Sequence, residues 1–270
     1  MFDLDAYLAR VGYHGPRAPT LALLRELTAA HTQSIPFENL DVLLGRRIDL
    51  ELDAVFDKLV RQRRGGYCFE QNGLFLHVLT ALGFEARPLS ARVRIDWFRD
   101  YTPPRTHMFL RVELDGASWL TDVGVGALSL TAPLRFTDGA ATQETPHEPR
   151  RLLREGDRWF HQARLGDTWT DVYEFTGEEM PPIDREVANW FTSAHPASHF
   201  LNRLIVARAA PGGRRITLLN RELKLRDRAG HAERQELDSP QALLAALAEH
   251  FGLHFPKETR FGSGALPWAT

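Results

Sequence analysis

The spacing of apolar residues changes along this chain, from helical intervals to short alternating runs, and that change constrains the fold most. Thr20 stands where a side-chain cap begins a helix through about His31, with Leu21, Leu24, Leu27 and Thr28 on one side. Asp53 is placed to cap a second helix, in which Val55, Phe56, Leu59 and Val60 recur, and Gly65-Gly66 is placed to stop it. A third run, Glu70 to Leu82, gathers Leu74, Phe75, Val78, Leu79 and Leu82 on one face before Gly83.

The middle of the chain reads as strands. Leu89 to Ile95 alternates loosely, and Met108–Leu114 and Trp119–Val125 flank the hairpin signal Asp115-Gly116. Arg150–Leu153 and Arg158–Ala163 flank a second turn, and Trp169–Phe175 follows. Short strands at this spacing point to a barrel or sandwich. Further on, Arg185–Ala194 reads as a helix, Leu204–Ala209 and Arg215–Leu219 as a hairpin around Pro211-Gly212-Gly213, and Ser239-Pro240 opens a last helix to Phe251.

Nothing covalent is expected to hold this fold. The chain has 270 residues and one cysteine, so no intramolecular disulfide forms. Its net charge of −2 argues against a dedicated nucleic-acid binder. The first residues carry no basic-then-apolar leader, and no stretch reaches the length of a membrane helix, so the chain reads as soluble and cytoplasmic.

The lone cysteine lies in Arg63-Arg64-Gly65-Gly66-Tyr67-Cys68-Phe69-Glu70-Gln71-Asn72, at the start of a predicted helix. Unpaired N–H groups and the helix dipole favour a thiolate there, and Arg63 and Arg64 add positive charge. The plain alternative is a small buried core cysteine. A thiolate nucleophile needs a base, and the base an orienting partner. His107 opens one strand of the predicted Asp115-Gly116 hairpin and Asp122 lies near the end of the other, which brings the two close. His195 and His199 are four apart, but Pro196 breaks the helix that a metal pair needs, so no metal is expected. Gly124-Val125-Gly126 lacks the third glycine of a dinucleotide fingerprint.

Arg64-Gly65-Gly66-Tyr67-Cys68-Phe69-Glu70 resembles the arginine-glycine-glycine-x-cysteine motif of the arylamine N-acetyltransferases. Ile35-Pro36-Phe37-Glu38-Asn39-Leu40-Asp41 resembles their N-terminal signature. Thr106-His107-Met108, Thr121-Asp122-Val123-Gly124 and Ser198-His199-Phe200 are similar to later landmarks, in the family's order.

The resemblance implies an α+β fold: a helical bundle over residues 1–84, a β-barrel over 85–184, an interdomain helix and connection over 185–203, and an α/β lid over 204–270. It implies a cysteine-protease-like triad of Cys68, His107 and Asp122. The implied reaction is ping-pong transfer of acetyl from acetyl-coenzyme A to arylamine or arylhydrazine nitrogen, and in some bacterial members to N-hydroxyarylamine oxygen. Phe37, Phe69, Val93, Val125 and Phe200 match acceptor-pocket positions, Gly124 and Gly126 the turn near the coenzyme, and Glu38 with Arg64 a supporting charged pair. Relatives often carry phenylalanine where Val125 stands, so a wider pocket is expected. The resemblance leaves open a homo-oligomer and the physiological acceptor. The residues alone also fit a cysteine hydrolase or transglutaminase-like enzyme using the same triad.

Overall fold

The computed structural model describes residues 1–262 and Leu266. The first helix, α1 (Leu4–Val11), was not expected. Asp3 caps it by accepting from Ala6 N at 3.1 Å, and Gly12 ends it at φ +71°. Its eight residues are too few to display a long period, yet Tyr7, Leu8 and Val11 are buried. In α2 (Leu21–Ser34) the Thr20 hydroxyl accepts from Leu23 N at 3.2 Å, as expected, and the helix runs three residues beyond His31. β1 (Phe37–Glu38) and α3 (Leu40–Leu43) follow.

The second expected helix differs at both ends. α4 (Leu52–Phe56) has Glu51 at its cap position, and the carboxylate of Asp53 instead meets the amino group of Met1 at 2.9 Å. α4 passes into a π-helical turn over Asp57–Arg61 that ends at Gln62, so Gly65-Gly66 does not stop it. The chain already reverses at Arg63, whose φ is +54°. The glycines serve close packing instead: Phe37 bridges to Gly66 in parallel, and a side chain at Gly65 would collide with the carbonyl of Pro36. α5 (Cys68–Ala81) then starts at the cysteine itself.

A seven-stranded antiparallel sheet follows: β2 (Glu85–Val93), β3 (His107–Leu114), β4 (Ala117–Thr121), β5 (Leu134–Arg135), β6 (Arg150–Glu155), β7 (Arg158–Leu165) and β8 (Thr168–Phe175). Its order is β5-β4-β3-β2-β8-β7-β6. Gln143 nearly closes it into a barrel. Its backbone pairs with Arg150 at 2.7 and 2.9 Å, and its side-chain amide bonds the backbone N and O of Arg135 at 2.7 and 3.0 Å. The β3–β4 turn has Asp115 and Gly116 both at positive φ, as its sequence signal requires. β4 ends at Thr121, short of the expected Val125, because the Asp122 carboxylate turns the chain by accepting from Gly124 N at 2.9 Å. Phe109, Leu120, Leu134, Leu152 and Val172 fill the interior.

α6 (Pro182–Ala194) leads through a 3₁₀ turn, His199–Leu201, into β9 (Ile205–Ala210), β10 (Arg214–Leu219), β11 (Glu222–Arg226) and β12 (Ala232–Glu236), and α7 (Pro240–Phe251) covers that sheet. The sheet order is β1-β9-β10-β11-β12, so residues from the start of the chain form its first strand. β12 is exposed at all five positions, which explains why hydrophobic spacing did not mark it. Glu148 ties this sheet to the barrel, accepting from Arg150 at 3.0 Å, from Arg215 at 2.7 Å and from Arg226. Positions 263–265 and 267–270 of the expected 204–270 lid lie outside the described residues. Among the described residues no helix is long and apolar enough to cross a membrane.

Candidate active site

The thiol of Cys68 lies at the first position of α5, where helix N–H groups have no partner within the helix. Its Sγ is 3.6 Å from the carbonyl oxygen of Thr106, the residue before His107. His107 opens β3, and Asp122 follows β4 two places out of register, so both side chains point to the same side of the sheet. His107 Nε2 donates to Asp122 Oδ2 at 2.7 Å, which leaves Nδ1 for other partners, and Cys68 is close enough to act on the imidazole electrostatically. His107 and Asp122 are almost wholly buried.

Burial works against a charged His107, but the Asp122 carboxylate, with Cys68, outweighs it and pushes the imidazole up to about 10. The ring is therefore an imidazolium at neutral pH. Tyr173 packs against it at a tilt, 5.2 Å between centroids.

Asp122 has a second set of donors that sequence reasoning missed. Its Oδ1 accepts from Asn72 Nδ2 at 2.9 Å and from Gly124 N at 2.9 Å. Asn72 also donates to Met108 O at 2.7 Å and accepts from Val123 N at 3.0 Å. A buried amide four residues after the cysteine was the available signal, since that spacing puts both on one row of the helix. Gly124 has a packing reason for being glycine: a Cβ there would lie 2.9 Å from Cys68 Cα and 2.8 Å from Asn72 Nδ2. Gly126, at φ +95°, lies against the ring of Phe37.

Behind the cysteine stands a buried ionic network. Arg64 donates to Glu38 Oε1 at 3.0 and 2.7 Å and reaches Asp41 at 3.2 Å. Lys58 joins Asp41 at 2.8 Å to Glu70 at 2.7 Å, and Glu70 accepts from Tyr67 N at 3.0 Å. Glu38 and Arg64 were expected as a pair, whereas Lys58, Asp41 and Glu70 were not anticipated. Burial raises Glu70 despite Lys58, while Lys58 and Arg64 overcome burial at Asp41 and hold it below its ordinary range.

A second buried chain reaches the same loop. Gln71 Nε2 donates to the carbonyls of Pro36 at 2.8 Å and Gly66 at 3.2 Å, so its Oε1 accepts from His31 Nε2 at 2.6 Å. Nδ1 of His31 then accepts from the Tyr7 hydroxyl at 2.8 Å. Burial lowers His31 to about 4 and keeps it neutral.

The expected acceptor-wall residues divide into two groups. Phe37 and Phe200 face each other at 6.2 Å, with Phe200 also against Tyr67 at 5.8 Å. Val93 and Val125 belong to the barrel interior. Phe69 stands apart, edge-on to Tyr67 at 5.7 Å and lining a groove toward α6. His195 stacks on Phe191 at 4.6 Å, and His199 packs at a tilt against Phe200 at 4.5 Å.

The N-acetyltransferase family model matches residues 20–260. The chain is 44% identical to an arylamine N-acetyltransferase of Mycobacterium tuberculosis, over 93% of this chain and 89% of the relative. It is 41% identical to an arylamine N-acetyltransferase / N-hydroxyarylamine O-acetyltransferase of Salmonella typhimurium, over 93% and 88%. The solved structure of the Mycobacterium marinum arylamine N-acetyltransferase in complex with CoA superposes with a TM-score of 0.88 at 43% identity, covering 93% of this chain and 92% of that one. On this evidence the chain belongs to the arylamine N-acetyltransferase family.

Proposed function

We propose that this protein transfers acetyl from acetyl-coenzyme A to an arylamine or arylhydrazine nitrogen through an acetyl-Cys68 intermediate, with His107 as the proton carrier and Asp122 as its orienting partner. The observation that carries this reading is the 2.7 Å bond from His107 Nε2 to Asp122, made by an imidazole on which the chain's one thiol also acts. Family membership favours acetyl transfer over the amide hydrolysis that the same three groups could perform.

An imidazolium beside the sulfur is the natural partner of a thiolate. The Cys68 thiolate attacks the thioester carbonyl, and helix-start N–H groups stabilise the oxyanion. The carbon–sulfur bond to coenzyme A breaks, and the leaving thiolate takes the His107 proton. The neutral amine then attacks the acetyl-cysteine. His107 accepts the proton from nitrogen, the bond to Sγ breaks, and the thiolate–imidazolium pair is restored.

Phe37, Phe200, Val93 and Val125 supply apolar walls for an aryl ring. Phe69 is assigned a lesser part, and Gly124 and Gly126 the turn near the coenzyme. The Salmonella relative's name extends the reading to N-hydroxyarylamine oxygen. Use of acetyl-coenzyme A, an intracellular metabolite, favours a cytoplasmic site of action.

The test is the intact mass of the protein after acetyl-coenzyme A alone. One acetyl adduct is expected in the native chain and none in Cys68→Ala. An adduct that survives the substitution overturns the assignment of the nucleophile.

A further inference from the structure

Between α5, α6 and the segment 42–55 lies a groove of about 980 Å³, a ligand-sized volume. Phe69, Gly73 and His77 line it from α5 at four-residue spacing, a row separate from that of Cys68 and Asn72. Leu50 lines it from the facing segment, and Arg185 and Trp190 from α6. The Tyr67 hydroxyl donates to Asn189, which fixes α6 beside the start of α5.

Three features indicate what would fill it. Trp190 offers an aromatic face and is 58% exposed, which no internal packing accounts for, whereas the Phe69 ring is buried. Arg185 is half-buried, makes no ion pair among the described residues, and has its Nε enclosed without an acceptor. A guanidinium in that state calls for a planar anion. The acids along the groove, Asp49, Glu51 and Glu186, are all exposed at the rim, and Asp49 accepts from Glu51 N at 2.9 Å.

Gly73 supplies the third feature. Glycine inside a helix lowers its stability relative to alanine. At this position a Cβ would meet nothing within 4 Å, so no neighbour requires the glycine. Its effect is to open the helix backbone to the groove.

A second copy of the chain fits less well. Laying α6 antiparallel on its own copy, so that Ile183 meets Trp190, sets the Glu186 carboxylate against the apolar Val187 of the copy.

We propose that this groove binds a small aromatic carboxylate, with the ring on Trp190 over Gly73 and the carboxylate on Arg185. The site is distinct from the Cys68 centre and does not depend on the reaction assigned there.

The test is calorimetric titration of the full chain with 2-naphthoate. One site is expected, with quenching of Trp190 fluorescence. Gly73→Leu fills the groove and should abolish binding while the melting temperature holds or rises. Arg185→Ala should weaken binding by about ten-fold or more, as loss of a charge-assisted bond requires. Naphthalene-2-methanol, which lacks the charge, should bind more weakly by a similar factor. Saturating aniline should leave naphthoate binding unchanged. Undiminished binding in Gly73→Leu, displacement by aniline, equal affinity for the neutral analogue, or no heat at millimolar ligand would each overturn the proposal.

Discussion

Asn72 lies one helical turn past Cys68 and donates its side-chain amide to the Asp122 carboxylate at 2.9 Å, so one helix holds both the thiol and the partner of the imidazole's orienting group. Asn72→Ala removes that donor and leaves Val123 N–H without its acceptor. The expected cost is about 1–3 kcal/mol of stability. Acetylation of Cys68 should slow by roughly ten- to a hundredfold, as small misplacements at reacting centres do. Stopped-flow acetylation and thermal melts check both numbers. An unslowed variant would mean that Gly124 N–H alone holds Asp122.

Asp122→Asn should leave the fold in place yet reduce turnover by about 10⁴, because the amide favours the wrong imidazole tautomer. Steady-state acetyl transfer to aniline measures this. Normal turnover in a folded Asp122→Asn protein would remove Asp122 from the mechanism.

The two histidines give stability opposite pH slopes. His107 titrates near 6.5 in the unfolded chain and about 10 in the fold. Its contribution is complete below about 6.5 and disappears as pH rises through about 10. His31, lowered to about 4 by burial, contributes above 6.5 and loses that contribution as pH falls through about 4. Urea midpoints across pH should therefore decline on the alkaline side in the native chain, and Asp122→Asn should flatten that decline. An unchanged alkaline slope would contradict the His107–Asp122 coupling.

Arg64→Met leaves the fully buried Glu38 carboxylate facing no guanidinium. Breaking such a pair from one side costs about 3–5 kcal/mol. Adding Glu38→Gln should recover part of the loss, because the uncompensated charge is gone. Urea unfolding of the two single variants and the double variant decides it; simple additivity would mean the pair is not coupled.

Gly124→Ala places a methyl 2.9 Å from Cys68 Cα. The overpacking should cost about 1–3 kcal/mol. Activity should fall further than that loss suggests, because the Asp122 loop is pushed from the helix that carries the thiol. A comparison of kcat with melting temperature separates the two effects.

Much of this arrangement was legible because it is local. Thr20 and Ser239 cap their helices through bonds to residues three places on, so sequence alone places them. The Asp115-Gly116 turn likewise announces the hairpin that brings His107 and Asp122 together. Features that depend on distant chain were silent. Asn72 was visible as a residue, but its task exists only once the Asp122 loop arrives 50 residues later. Lys58 and Asp41 look like solvated charges until Arg64 and Glu70 enclose them. The edge strand β12 buries nothing, so no spacing could reveal it. Asp53 failed as a cap because the helix starts one residue before it, at Leu52, which puts Asp53 inside the first turn.

The two-residue strand β1 has a consequence for how the protein is made. On one side Phe37 bridges to Gly66, just before the cysteine, and on the other it pairs with Ala207. A growing chain that has already emitted Cys68, His107 and Asp122 still lacks the partner that pins β1 from the far side. Competence therefore arrives late in synthesis, when the strand near position 207 docks. A nascent chain interrupted before that point would hold all three reacting residues with one wall of their support unbuilt.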